Sequence, residues 1–286
     1  AGIHSGSTMT DFDPSQVTIR HAATVMLIDD RPDLQVYIME RHADIVFGGG
    51  MWVFPGGRVD ELDEAEIFAQ YCQQRSDVEA SALLHMPAGA LTYYIAAIRE
   101  AFEEAGILLA LHRDTGKLLD LSEPAIARRF AAHRRDINDS NRNFIELLKE
   151  ENLVLDVATM HYIARWITPE GPPRRYDTRF FITRMPASQT PIHDDHELVH
   201  AQWLAPQQIL ANFAAGSMTL MSPTLRMLRC LERFDSTAQV MAAAAANLPD
   251  ERVRVSASGE LVLPEDAGYA AADENIESGW VRLRPV

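Results

Sequence analysis

Residues 99–107 read Arg-Glu-Ala-Phe-Glu-Glu-Ala-Gly-Ile and hold the densest chemistry in the chain. Glu100, Glu103 and Glu104 stand at i, i+3, i+4, a spacing that puts three carboxylates on one face of a helix. Three like charges packed together are unfavourable unless something positive lies among them. A hard divalent cation with oxygen ligands meets that need, and Mg²⁺ is the usual one where phosphates are the substrate. The opposite face offers Ile95, Ile98, Phe102 and Ala105 as a core stripe, and Gly106 supplies the helix stop. An acidic helix is also what a solvated surface looks like, with Arg99 and Glu103 an ordinary i, i+4 pair. On the helix alone that is the commoner case.

The segment upstream tips the balance. Residues 52–60 read Trp-Val-Phe-Pro-Gly-Gly-Arg-Val-Asp, an apolar strand-like run that ends abruptly in Pro-Gly-Gly. Paired glycines allow backbone conformations closed to other residues and let a ligand approach the main chain. Pro-Gly-Gly is also a common turn. The conjunction of a glycine turn with an Arg-Glu-x-x-Glu-Glu-x-Gly helix is much rarer than either half.

Together the two halves resemble the signature of Nudix hydrolases: Gly, five residues, Glu, seven residues, then Arg-Glu-apolar-x-Glu-Glu-x-Gly-apolar. Gly57 matches the first glycine; Arg99, Glu100, Glu103, Glu104, Gly106 and Ile107 match the second half; Ala101 stands at the apolar position. Two departures stand out. An insertion of roughly 28 residues interrupts the signature, by counting residues against the pattern. The first glutamate falls on Asp63, with Glu61, Glu64 and Glu66 as nearby substitutes. A signature split in this way, followed later by Arg-Tyr-Asp-Thr-Arg-Phe-Phe at 175–181, resembles the Nudix-19-type branch of coenzyme A and acyl-CoA diphosphatases. The match spans roughly residues 18–233 by motif position.

The resemblance implies metal-dependent hydrolysis of a pyrophosphate, with water attacking one phosphorus and the other phosphate leaving. It implies Mg²⁺ or Mn²⁺ held by Glu100, Glu103 and Glu104, with the main-chain carbonyl at Gly56 or Gly57 as a further candidate ligand. Arg99 is implied to orient a neighbouring glutamate. The catalytic base is either a glutamate of the signature or Glu197, which lies in an expected loop ahead of Trp203; a solvated acidic loop is an equally good reading of Glu197. His193, His196 and His200 lack the spacing of a zinc site with cysteines. For substrate phosphates the candidates are Arg41, Arg58, Arg174, Arg175 and Arg179, since a guanidinium suits bidentate phosphate contacts. For any single one of them a surface ion pair is the commoner role.

These residues need a scaffold, and the coarse pattern predicts an α/β fold. By resemblance this is a Nudix-type α/β/α sandwich with a mixed sheet, elaborated by helical insertions. Strands are expected at 19–29, 34–41, 51–54, 107–111, 158–168, 178–184 and 199–204. Helices are expected at 65–74, 92–105, 122–136, 141–151, 206–215 and 222–234, with an alanine patch at 242–246 also read as helix. The tail carries little pattern beyond one hairpin, 252–255 with 260–262. Residues 1–8 look like a tag remnant ahead of Met9. The remainder, 9–286, reads as a single domain with insertions at about 64–90 and 112–150 and a C-terminal extension at about 235–286.

Composition sets the outer bounds. With 286 residues and 47% hydrophobic content, the chain can bury a sizeable core. Its two cysteines, Cys72 and Cys230, make no disulfide framework and point to the cytoplasm. No apolar run is long enough to span a membrane, no signal peptide is recognisable, and the ending Arg-Pro-Val is not a peroxisomal address. A net charge of −15 argues against nucleic-acid partners. Bound cations reconcile that charge with an anionic substrate.

The expected partner is thus a nucleotide-containing small molecule, CoA-type by resemblance; a homodimer is allowed but not required. Three functions compete: CoA or acyl-CoA diphosphatase; hydrolase of another nucleoside diphosphate derivative such as ADP-ribose, a dinucleotide or an NTP; and a non-catalytic Nudix-fold nucleotide-binding module. The intact carboxylate set speaks against the last.

Overall fold

The computed structural model describes residues 13–45, 48–192, 198–273 and 278–286. Strand β1 (Ile19–Asp30) holds a nearly unbroken buried run, as a strand covered on both faces must. Ala23, Val25 and Leu27 enter one core while Met26 and Ile28 enter another. Strand β2 (Leu34–Arg41) turns back antiparallel and splits in the same way, Tyr37 and Met39 against Val36 and Ile38. Short strands β3 (Trp52–Val53) and β4 (Gly56–Arg58) pair with β2 and β1, and Gly57 sits opposite Ala23.

The first insertion follows. It contains α1 (Ala65–Phe68), a 3-10 turn at Ala69–Tyr71, and α2 (Asp77–Leu83). The single helix expected at 65–74 is therefore corrected. A run this short has little helical stability of its own. Its tighter second turn lets Phe68, Tyr71 and Cys72 all reach the core, with the two rings 6.3 Å apart.

Helix α3 (Leu91–Ala105) carries the glutamates. The Asp77 carboxylate accepts from Gly89 N–H at 2.8 Å and Leu91 N–H at 2.9 Å, so the insertion caps this helix. Asp77→Ala should lower stability by about 1–2 kcal/mol, read as a lower urea midpoint at unchanged slope. Gly106, at φ +69°, ends the helix in the left-handed conformation that glycine adopts freely.

Strand β5 (Ala110–His112) is shorter than the expected 107–111 and lies outside the main sheet. Helices α4 (Pro124–Asn138) and α5 (Phe144–Glu150) lead to its partner β6 (Leu153–Leu155). Strands β7 (His161–Ile167) and β8 (Arg175–Arg184) pair antiparallel, and β8 runs parallel to β1 from Ile19↔Arg175 to Ile28↔Arg184. Strand β9 (Leu198–Leu204) joins β2.

The second layer comprises α6 (Pro206–Ala214), α7 (Ser222–Leu231) and α8 (Thr237–Ala245). Met227, Leu228 and Val240 from these helices fill the core opposite α3. The tail is more ordered than its pattern suggested. Strands β10 (Glu251–Arg252), β11 (Arg254–Val255), β12 (Leu261–Val262) and β13 (Gly279–Val281) follow. The expected hairpin appears as β11 with β12, while β13 extends the main sheet beside β7 and β10 beside β13. The result is a mixed nine-stranded sheet between helical layers. Among the described residues, no helix is long and apolar enough to cross a membrane.

Candidate metal centre and cleft

Four acidic side chains gather where the glycine turn meets the last two turns of α3. Arg99 is the common partner of Asp63, Glu100 and Glu103. Its Nε and Nη2 donate to Asp63 at 2.8 and 3.0 Å, and its Nη1 donates to Glu100 and Glu103, each at 3.0 Å. Nη2 also donates to the Arg58 carbonyl at 2.9 Å. Burial works against the Arg99 charge, but Glu100, Asp63 and Glu103 more than offset it and keep it protonated.

Asp63, the residue counted onto the first glutamate position, is 1% exposed and fixed by a capping box with Asp60. Its side chain is a carbon shorter than glutamate, and the 3-10 turn at Glu61–Asp63 carries it to Arg99.

Gly56 donates its N–H to Glu104 Oε2 at 2.9 Å. A Cβ on Gly57 would fall 2.5 Å from the Glu100 carboxyl carbon, so a side chain there would push the Glu100 carboxylate out of its present position. The turn and the helix therefore fit each other atom against atom, although 41 residues lie between Gly57 and Arg99.

One guanidinium among four carboxylates leaves a negative excess. Burial pushes the Glu100 carboxyl up to about 7; Arg99 opposes the rise and Glu103 adds to it. Glu103 is raised as well, again by burial first. The Glu100 side chain is 14% exposed, so the cost of its charge is that of a half-dry site. These are the properties of carboxylates whose single shared countercharge falls short, and a divalent cation fits them.

A pH effect follows for the metal-free protein. The folded form holds the Glu100 proton more tightly than the unfolded form, whose carboxyl titrates near its ordinary 4.5. The resulting stability is fully present below that value and is lost as pH rises through about 7. Chelator-treated protein should lose up to about 3 kcal/mol from this group between pH 5 and pH 8. Glu100→Gln should flatten that dependence in thermal melts, and Mg²⁺ should restore stability at pH 8 more than at pH 5.

The carboxylates line a cleft of about 660 Å³. One wall is the first insertion, with Leu62, Ile67 and Phe68; the other is the α4–α5 connection, from Ile137 to Ile145. The sequence did not mark that second wall: Asn138, Asp139 and Ser140 fall in the gap between two expected helices, and Asn143 falls inside the second.

Arg134 was missed too. Its guanidinium donates to the carbonyls of Glu103 (2.9 Å), Glu104 (2.7 Å) and Ile192 (2.6 Å), tying α4 to the C-terminal end of α3. Behind the wall, His133, Glu150 and Glu151 lie close together. Arg129 grips Glu151 at 2.7 and 2.9 Å, and Arg142 pairs with Glu150 and His133. Burial would raise the Glu151 carboxyl, but hydrogen bonds from Arg129 and His133 hold it below its ordinary range. Two guanidiniums thus occupy the place a cation would take, and the network braces α4 against α5.

The arginine candidates separate. None of Arg41, Arg58, Arg174, Arg175 and Arg179 lines this cleft. Arg41 ends β2 at a register shift, while Arg58 and Arg174 are exposed. Arg175 Nε donates to the Thr168 carbonyl at 3.0 Å. Arg179 is buried away from the cleft lining. It is 4% exposed, paired with Asp177 and stacked 4.9 Å over Tyr93, while Asp177 also holds Arg165 at 2.7–2.8 Å. Glu197, His193 and His196 lie outside the described residues; β9 begins at Leu198.

Comparison with known proteins agrees with this geometry. Residues 79–231 match the family model described as the NUDT19 Nudix domain. The chain is 25% identical over 231 residues to acyl-coenzyme A diphosphatase NUDT19 of Xenopus laevis, covering 71% of this chain and 60% of that one. It is 31% identical over 155 residues to the Homo sapiens protein of the same name, covering 51% and 40%. It therefore spans between two and three fifths of the length of these relatives. A crystal structure of a Nudix hydrolase from Alicyclobacillus acidocaldarius superposes with a TM-score of 0.65 at 26% identity, over 79% of this chain and 97% of that one.

Proposed function

The chain belongs to the NUDT19 Nudix domain family, and on that footing we propose that it is a divalent-cation-dependent pyrophosphate hydrolase acting on coenzyme A or acyl-coenzyme A. The observation that carries this reading is the carboxylate excess packed against Gly57, a site short of positive charge. Glu100, Glu103 and Glu104, with the Gly57 carbonyl, would hold Mg²⁺ or Mn²⁺. When bound, such an ion supplies positive charge to phosphoryl oxygens and lowers the cost of charge gathering there.

The chain's own residues do the rest. Arg99 fixes the angle of Glu100 and Glu103, and the Gly56 amide fixes Glu104, so the carboxylates are preorganised before substrate arrives. A water oxygen forms the new bond to one phosphorus, the bridging P–O bond breaks, and the other phosphate leaves. The products are 3′,5′-ADP and (acyl-)phosphopantetheine. The water's proton goes to a carboxylate, Glu197 or one of the α3 glutamates.

We further read residues 9–286 as one elaborated domain, a reading supported by β13 extending the central sheet. The two buried free cysteines fit a reducing compartment such as the cytoplasm. The test is a substrate panel with Mg²⁺ and Mn²⁺: CoA, acyl-CoA, ADP-ribose, NADH and diadenosine polyphosphates, with products identified by mass. Preferred cleavage of CoA or acyl-CoA is expected. Preference for another member would reassign the substrate. Binding without cleavage of any of them would make the chain a nucleotide sensor.

A further inference from the structure

We infer that Leu62 and Ile67, on the first insertion, receive the apolar acyl chain of the substrate and set chain-length preference. This rests on the CoA-type reading above and assigns one wall of the cleft to one part of that molecule. The cleft has a charged floor, Arg99 with Glu100, Glu103 and Glu104, and an apolar rim. Leu62 is 55% and Ile67 40% exposed, two large aliphatic side chains left in water beside a carboxylate cluster. Exposed aliphatics next to a functional cavity mark a surface that something apolar covers.

Their placement is enforced. Leu62 precedes Asp63 in the 3-10 turn, and Asp63 is locked inward on Arg99. With Asp63 buried, Leu62 is presented outward at the cleft. Phe68, directly after Ile67, is buried against the Phe144 ring at 6.1 Å, which anchors the short helix carrying Ile67.

Across the cleft stand Asn138, Asp139, Ser140, Arg142 and Asn143; Asn138 donates to the Glu103 carbonyl at 3.2 Å and Asn143 caps α5, so Ser140 supplies the uncharged hydroxyl suited to a ligand amide. With the cation of the proposed function held on the carboxylates, a ligand anionic at one end, amide-bearing along its length and apolar at the other matches floor, far wall and rim in turn. An acylated pantetheine diphosphate is such a ligand. The rim and the carboxylates belong to one continuous cavity, which favours a part of the substrate over a second copy of the chain or another protein.

The test compares wild type with the double variant Leu62→Ser, Ile67→Ser and the conservative pair Leu62→Met, Ile67→Leu. It measures kcat/KM for free CoA and for dodecanoyl-CoA, with thermal melts and sedimentation as controls. The serine pair should lose about tenfold or more on dodecanoyl-CoA and stay within about twofold on free CoA, since single methylene contacts discriminate on that scale. The conservative pair should retain wild-type preference. Equal loss on both substrates, or no loss on the long chain, would overturn the assignment. So would a dimer that the serine pair dissociates without changing preference, because a second copy would then be the occupant. A wild-type enzyme that cleaves ADP-ribose and neither CoA nor acyl-CoA would reject the substrate reading itself, and it is read before any variant is made.

Discussion

Glu104→Gln should lower kcat by about 10²–10⁴-fold at saturating Mg²⁺ while leaving the melting temperature unchanged or slightly raised. Glutamine keeps the length of the side chain, and its carbonyl oxygen can still accept the Gly56 N–H that Glu104 now takes at 2.9 Å. The geometry of turn and helix therefore survives. What disappears is one negative oxygen from a set that must balance a dication. Without metal, losing that charge relieves repulsion among Glu100, Glu103 and Glu104, so the apo protein has no reason to weaken. The measurement is a Mg²⁺ titration of initial rate alongside apo and Mg²⁺-loaded melts. Wild-type rate at saturating metal would remove Glu104 from the ligand set. A collapse in both rate and apo stability would show instead that the carboxylate is a structural tie to the Pro-Gly-Gly turn.

How much of this could be read before the structure depends on how local each signal is. The α3 glutamates, their apolar back and the Gly106 stop all lie within one helix, where spacing alone determines which side chains share a face; that reading survives intact. Gly57 was legible as permissive. That its missing side chain is required by Glu100 was not, because the two meet only after the insertion has folded away. The same distance hid the second wall of the cleft. Asn138, Ser140 and Asn143 acquire meaning only when α4 and α5 bring them across from α3. Arg179 shows what a residue type leaves open: a guanidinium suits a phosphate, but only strand pairing beside β1 reveals that it lies buried with Asp177 under Tyr93. The tail read as patternless since two-residue strands such as β10 have no period to detect, and pairing supplied by β13 decides them.

The second large effect concerns stability. Arg99→Ala should destabilise the fold by about 3–5 kcal/mol, measured by urea unfolding without metal. The cost arises from what the arginine leaves behind. Asp63 is 1% exposed, and two of its hydrogen bonds, at 2.8 and 3.0 Å, come from Arg99. Removing the guanidinium strands a buried carboxylate and releases the Arg58 carbonyl at the same stroke. Glu100 and Glu103 lose their shared countercharge, so their repulsion adds to the loss. Arg99→Lys should recover only part of it, because an ammonium cannot span Asp63, Glu100 and Glu103 with one planar fork. The pairwise contribution is isolated by adding Asp63→Asn. If Asp63 is costly mainly when left unpaired, the double variant should regain about 1–3 kcal/mol relative to Arg99→Ala alone. Simple additivity of the two losses would mean that Asp63 is stabilised by its capping box with Asp60 and not by Arg99, and that the substitution of aspartate for glutamate at this position has uncoupled the insertion from the helix it caps.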